Sequence, residues 1–276
     1  MQASLFVVAT PIGNREDLSD RARRVLREVA VIACEDTRHS APLLGDIGSQ
    51  ARLQAVHEHN EAEVAERLLD RIAAGESVAL ISDAGTPLVS DPGYRLVQAA
   101  IARGIPVVPI PGASAVMAAL SAAGLPTDRF TYAGFLPAKS GERKRELETL
   151  LPLPHTLVLF EAKHRIRDLL ADAETVLGDR PAVIARELTK RHETFLRGRL
   201  SELSARVAAD TDQQLGEFVV MIEGFPKSAV QQRHQEEAER LARILARELP
   251  VSRAAKLAAE FTGASKNLLY DVLQKG

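Results

Sequence analysis

Through the first 124 positions, short apolar runs alternate with stretches whose apolar residues recur every three or four positions. Leu5–Ala9, Val29–Ala33, Val78–Ile81 and Val107–Ile110 are brief, aliphatic and bounded by turn residues, which predicts buried strands. Between them, Leu18, Ala22, Val25, Leu26 and Val29 form a one-sided helical stripe. Val64, Ala65, Leu68, Leu69 and Ile72 form another, which Gly75 closes. Leu96–Ile101 continues the pattern to Gly104, and Ser114–Ala123 is so uniformly small and apolar that a buried, tightly packed helix is expected. Strands alternating with helices imply a parallel, wound sheet.

A boundary is expected near Gly124–Asp128, where the pattern changes. Leu136–Glu148 is polar and basic, carries Lys139, Arg143, Lys144 and Arg145, and reads as a mobile loop entering a helix. Strands at Thr156–Phe160, Ala182–Ala185 and Phe218–Ile222, with helices at Ile166–Leu177 and Leu200–Ala209, predict a second α/β or α+β domain of about a hundred residues. The polar stretch Lys227–Arg233 reads as a linker, and Glu236–Gln274 as two or three helices. Within these, Ser252–Ala259, a turn at Thr262-Gly263 and Ser265–Leu273 have the layout of a helix-turn-helix. The expected division is therefore 1–125, 126–227 and a helical tail at 228–276.

The densest set of helix and strand breakers lies in Leu80–Tyr94, LISDAGTPLVSDPGY. Asp83, Gly85, Pro87, Asp91, Pro92 and Gly93 make it a shaped loop after a strand, where open α/β sheets bind ligands. Its only ionisable residues are Asp83 and Asp91. Two similar loops, Thr10–Asn14 (TPIGN) and Pro111–Ala115 (PGASA), carry no charge. Three such loops suit a neutral or positive ligand better than a polyphosphate, and they also read as ordinary turns of an α/β protein.

Composition narrows the classes. The 276 residues are 46% hydrophobic and 26% charged, with 4% aromatic and no Trp, so the core must be aliphatic. A net charge of −2 leaves no global nucleic-acid footprint, so any such binding must use local patches. The single cysteine, Cys34, excludes an internal disulfide and points to a reducing cytosol. No apolar run approaches the ~20 residues of a membrane span, and the N-terminus lacks a signal-peptide pattern. His57-Glu58-His59 is the one close histidine pair, and no metal is expected. Neither G-x-G-x-x-G after the first strand nor G-x-S-x-G is present.

Charged clusters remain. Glu35, Asp36 and Arg38 read first as a helix N-terminus with a surface ion pair, although their place after a predicted strand leaves a functional role open. Arg186–Glu193 (RELTKRHE) follows a strand of the second domain and is either solvated or turned to a cleft. Arg143–Arg145 reads as a solvated face that can also meet phosphates.

The motifs VATPIGN, EDTRHS, LISDAGTPLVSDPGY, PGASA, LSAAGLPTDRFTYAGFLPAK, FEAKHR, ARELTKRHET and GEFVVMIEG occur in this order. On them the chain resembles, from about Leu5 to Leu273, the small-subunit ribosomal RNA 2′-O-methyltransferases of the tetrapyrrole methylase superfamily. The resemblance implies an α/β protein of two domains with an interdomain cleft and a helix-turn-helix-like tail. It implies S-adenosylmethionine as methyl donor, a cytidine ribose in the decoding region of 16S rRNA within the small subunit as acceptor, a homodimer, and a cytoplasmic location. Carried over by motif, it assigns cofactor contacts to Pro11, Asp83, Ala84, Gly85, Leu88, Ser114, Ala115, Glu161 and Leu188. Catalytic candidates are Asp36, Arg38 and Lys190, with Glu187 and Glu193 beside them; Arg38 is expected to position the phosphate or ribose and Lys190 or Asp36 to handle the proton. Arg15, Phe160 and Lys163 depart from the usual pattern, and Phe160 lacks the hydroxyl of a common Tyr. A different methylase of the superfamily, acting on a porphyrinoid or a protein, and a non-catalytic RNA-binding assembly module are the competing readings.

Overall fold

The computed structural model describes residues 2–57 and 60–275. The first half carries strands β1 (Leu5–Val8), β2 (Val31–Cys34), β3 (Arg52–Ala55), β4 (Val78–Leu80) and β5 (Val107–Ile110). Its helices are α1 (Asp20–Glu28), α2 (Thr37–Asp46), α3 (Glu61–Ala73), α4 (Tyr94–Ala102) and α5 (Ala115–Ala123). The strands pair in parallel in the order β3-β2-β4-β1-β5. Side chains alternate across that sheet. Phe6, Val8, Ile32, Cys34 and Ala79 meet α1 and α2 on one face. Leu5, Val31, Ala33, Val78 and Leu80 meet α3 and α4 on the other.

The second half carries β6 (Phe130–Phe135), β7 (Thr156–Ala162), β8 (Pro181–Arg186), β9 (Thr194–Arg199) and β10 (Glu217–Ile222), with α6 (Ser140–Leu150), α7 (Ile166–Leu177) and α8 (Leu200–Ala209). The sheet order is β6-β7-β10-β8-β9, with only β6 and β7 parallel. One face, with Leu157, Leu159, Ile184, Val220 and Ile222, is covered by α6, α7 and α8. The other face, with Val158, Val183, Ala185, Val219 and Met221, is covered by α5. The chain thus leaves the first sheet after β5 and uses its most apolar helix to cap the second. Arg197 of β9 holds the C-terminal end of α5, its Nε donating to the Ala123 carbonyl at 3.2 Å. That explains why α5 is apolar nearly all round, although Met117 on it is exposed rather than buried as expected.

The structure departs from several sequence expectations. The second strand starts at Val31, because Val29 caps α1. Strands β3, β6 and β9 are not among the expected elements, and of helix α2 only the N-terminus at Asp36 is; the three strands are all sheet edges, half-buried and without an apolar run. The basic segment enters a helix, α6, as expected, but Arg143 on it is buried to 2% exposure rather than solvated. Its guanidinium is paired with Asp172 of α7 at 2.6 Å, and Lys144 Nζ reaches the same carboxylate at 3.3 Å. The expected linker at Lys227–Arg233 is the start of α9 (Lys227–Leu245). Helices α10 (Val251–Thr262) and α11 (Lys266–Lys275) follow, joined through Gly263, and a small alanine-rich core of Ala238, Ala242, Ala255, Ala258 and Leu269 packs the three together. Of His57-Glu58-His59, the last two lie outside the described residues; among the described residues no group of three metal-holding side chains forms.

Candidate functional site between the two sheets

The parallel strands of the first sheet all point the same way, so the loops that follow them gather at one end. Three of these loops are tied to one another. Thr10 and Gly85 exchange backbone hydrogen bonds of 2.9 and 3.0 Å. Thr86 Oγ1 donates to the Ala113 carbonyl at 3.0 Å. Gly85 has φ +81°, and a Cβ there would stand 3.2 Å from Ile12 Cγ2, so glycine serves both the turn and the close approach. TPIGN, the long acidic loop and PGASA therefore converge.

A fourth element fixes the far end of the long loop. Helix α4 starts at Gly93, which offers no capping side chain. Glu61, buried at the start of α3, replaces it: its Oε1 accepts from the backbone N–H groups of Arg95 and Leu96 at 2.7 and 3.2 Å. Glu61→Ala is expected to lower stability by about 1–2 kcal/mol, the worth of a helix cap, as read by urea unfolding.

Where the converging loops face the second sheet, a cavity of about 310 Å³ opens. Asp83, Ala84, Ala115, Glu161 and Leu188 lie in its wall. Pro11, Gly85, Leu88 and Ser114 each adjoin a wall residue in sequence without lining the cavity themselves. Leu88 turns into the core beneath α3 and α4, and Ser114 caps α5, its hydroxyl accepting from the Met117 amide. Sequence reasoning missed other wall residues, among them Ile12, Val89, Ser90, Asp91, Phe135 and Phe160. For Asp91 a signal existed, since it is one of two ionisable groups in the breaker-rich loop.

The wall is acidic. Burial, reinforced by the nearby charge of Glu35, pushes the Asp91 carboxyl up to about 6 despite a hydrogen bond from Ser82. Glu161, at the end of β7, is also raised by burial. Its Oε1 accepts from the Ala162 amide at 2.8 Å and faces Arg165 at 3.2 Å, whereas Oε2 is buried with no partner. Backbone strain concentrates at the same place: Leu88, Ser90, Glu187 and Thr189 all have positive φ.

The catalytic candidates sit nearby in different circumstances. Asp36 is the N-cap of α2; its carboxylate takes the Arg38 backbone amide at 2.8 Å and the guanidinium at 2.7 Å, which holds it at about 2. The helix-terminus reading of this cluster is thus the geometry observed, with the Arg38 side chain 89% exposed. The Asp36 amide also approaches Asp83 Oδ1 at 3.4 Å, which ties the pair to the wall. Burial acts to lower the Lys190 ammonium, but bonds of 3.0 Å to both Glu187 and Glu217 outweigh it and leave the pKa raised. Thr189 bridges to the first loop, its Oγ1 accepting from the Asn14 amide at 3.1 Å. Glu193 accepts from the Thr189 amide at 2.6 Å and so shapes the same loop.

Residues 4–204 match the family of Tetrapyrrole (Corrin/Porphyrin) Methylases, and residues 232–275 match the RsmI C-terminal HTH domain. A protein of Pseudomonas aeruginosa named ribosomal RNA small subunit methyltransferase I is 54% identical, covering 97% of this chain and 95% of its own. The protein of that name from Escherichia coli O157:H7 is 48% identical, over 98% and 94%. Among solved structures, uroporphyrin-III C-methyl transferase of Thermus thermophilus complexed with S-adenyl homocysteine shares the fold at a TM-score of 0.55 and 21% identity, over 79% of this chain and 96% of that one. A family match across most of the length, and relatives this similar nearly end to end, mean that the chain belongs to the tetrapyrrole methylases and, within them, to the ribosomal RNA small subunit methyltransferase I family.

Proposed function

We propose that this protein uses S-adenosylmethionine to methylate the ribose 2′-oxygen of a cytidine in the decoding region of 16S rRNA, on the assembled small subunit. The observation that carries this reading is the cavity itself, which brings Asp83 and Asp91 from one sheet and Glu161 from the other around one space. The residues fit the donor: carboxylates suit its positive groups, the unpartnered Glu161 Oε2 is a waiting acceptor, and the wall carries no phosphate-binding loop. When bound, S-adenosylmethionine supplies a methyl group activated by its sulfonium. The chain's part is to hold donor and acceptor together and to exclude water, an effect of up to about 7–11 kcal/mol.

In this reading Pro11, Gly85, Leu88 and Ser114 shape the cofactor site through backbone, while Asp83, Ala84, Ala115, Glu161 and Leu188 meet the cofactor. Asp36, held at about 2, is a poor proton acceptor and instead aims the exposed Arg38 at a phosphate or ribose. Lys190, clamped by Glu187 and Glu217, keeps a fixed positive charge toward the acceptor oxygen. We further propose that the chain divides as 1–125, 126–227 and 228–276, that it works as a homodimer, and that it acts in the cytoplasm. Among the described residues no helix is long and apolar enough to cross a membrane.

The test is methyl transfer from S-adenosylmethionine to small subunits lacking the modification, beside naked 16S rRNA and a free porphyrinoid. Transfer to the subunits, mapped to a cytidine ribose, is expected; transfer to the porphyrinoid, or donor binding without transfer, overturns the reading. In single-turnover assays Arg38→Ala and Lys190→Ala are each expected to slow the chemical step at least about tenfold, and rates within about twofold of the unaltered protein would remove them from the mechanism.

A further inference from the structure

The aromatic residues of this chain are few, eight Phe and three Tyr, yet Tyr132, Phe135 and Phe160 meet at the cavity. Phe160 stands edge-on to both, at centroid distances of 5.0 Å from Tyr132 and 5.6 Å from Phe135. Phe135 lines the cavity and is 54% exposed, an unusual exposure for a phenylalanine in contact with another ring.

Its position is the work of a β-bulge. Along β6, Tyr132 pairs with Val158, Gly134 with Leu159 and Phe135 with Phe160, so one residue, Ala133, is extra. Val158 and Phe160 lie two apart on β7 and share the face toward the cleft. Their partners Tyr132 and Phe135 share it too, although they are three apart and strict alternation would send Phe135 to the opposite face. There α6, α7 and α8 would bury it, as they bury Leu136. Gly134, with φ +63°, makes the bulge possible. Ser90 Oγ, at 2.6 Å from the Tyr132 hydroxyl, ties the bulged strand to the acidic loop across the cleft.

An apolar side chain placed on the open side of a cavity by a local break in its strand serves a ligand rather than the core. Single-stranded nucleotides are held by stacking on such rings. We propose that Phe135 is the platform on which the base of the acceptor nucleotide stacks, with Phe160 holding the ring edge-on from behind. The inference rests on the RNA-methylating reading above. Holding the base there fixes the position of its ribose at the cavity mouth, which makes Phe135 a positioning residue.

The test compares Phe135→Leu, Phe135→Tyr and Phe135→Trp in the full chain, with S-adenosylmethionine and unmodified small subunits. Phe135→Leu keeps apolar bulk but loses the π face. It is expected to raise KM for the subunits about tenfold or more, with the S-adenosylmethionine Kd within about twofold by calorimetry and Tm unchanged. Phe135→Tyr and Phe135→Trp are expected to restore KM to within about threefold. A leucine variant with unaltered KM overturns the platform, as does one that weakens S-adenosylmethionine and subunits alike, which would assign the ring to the donor. An unaltered protein that binds S-adenosylmethionine and leaves the subunits unmethylated overturns the RNA reading and the platform with it.

Discussion

Asp172→Ala is expected to destabilise the protein by about 3–5 kcal/mol, the cost of leaving a buried charge without its partner. Arg143 is buried on α6, and Asp172 takes both its Nε, at 2.7 Å, and a terminal nitrogen, at 2.6 Å. Ser140 Oγ donates to the same carboxylate at 3.0 Å. Carbonyls of Pro137 and Ala138 accept from Arg143 but carry no charge to neutralise it. Thermal unfolding should fall by about 10 °C, given a few degrees per kcal/mol at this chain length. Replacing both partners, as Arg143→Met with Asp172→Leu, should recover most of the loss, because the penalty lies in the unpaired charge and not in the missing pair. A single variant within about 1 kcal/mol of the unaltered protein would show that α6 opens to let the guanidinium reach water. Burial alone would raise the Asp172 carboxyl, but the bonds from Arg143, Ser140 and Lys144 outweigh it and hold the pKa low. The stability that Asp172 contributes is thus present above ~pH 4 and is lost as pH falls through its depressed value.

Asp91→Asn is expected to weaken S-adenosylmethionine binding at neutral pH by about tenfold or more, since a charged hydrogen bond or ion pair in a half-buried site is worth about 1.5–3 kcal/mol. The pH dependence is the sharper signature. Because the Asp91 carboxyl titrates at about 6, the carboxylate that attracts a cation forms only as pH rises through that value. Affinity in the unaltered protein should therefore climb across this range and level off above it, whereas Asp91→Asn should lose most of that rise and keep only what Glu161, also raised by burial, contributes. Calorimetry at a series of pH values reads both. Equal affinities, or a slope undiminished in the variant, would remove Asp91 from the site. Stability should move in the opposite sense. A raised carboxyl pKa means that ionising Asp91 costs the folded state, so without ligand Asp91→Asn should melt higher than the unaltered protein above pH ~6, the gap closing toward pH ~4. An acidic site held at a cost to stability is what ligand binding repays.

The expected residues that line the cavity have two origins. Asp83, Ala84 and Ala115 lie in loops whose breakers are contiguous in sequence, directly after buried strands, so both the loop and its place at a strand end could be read locally. Glu161 and Leu188 came only with the family resemblance, since nothing in their immediate sequence reveals that β7 and β8 end at the same cleft. Phe135 was not legible at all. Its strand lies at a sheet edge, and its direction depends on a one-residue bulge that no hydrophobic pattern records. The basic run shows the opposite failure: three adjacent cations read as one solvated face, yet Asp172, 29 residues from Arg143, takes that arginine out of solvent.

By itself the sequence determined α7 and α8 to the residue, the central strands with shifted ends, and the three turns, because these features repeat with a local period or punctuate it. It could not determine β3, β6 and β9, edge strands whose mixed, partly exposed side chains leave no continuous apolar run, whereas the fourth edge strand, β5, keeps such a run and was read. Tertiary structure alone decided that α5 covers the second sheet, that Arg143 is internal, and that Asp91 and Glu161 face one another's cavity. The reason is the same in each case: apolar and charged surfaces choose partners by complementarity across space, and a one-dimensional pattern states only that a partner is needed.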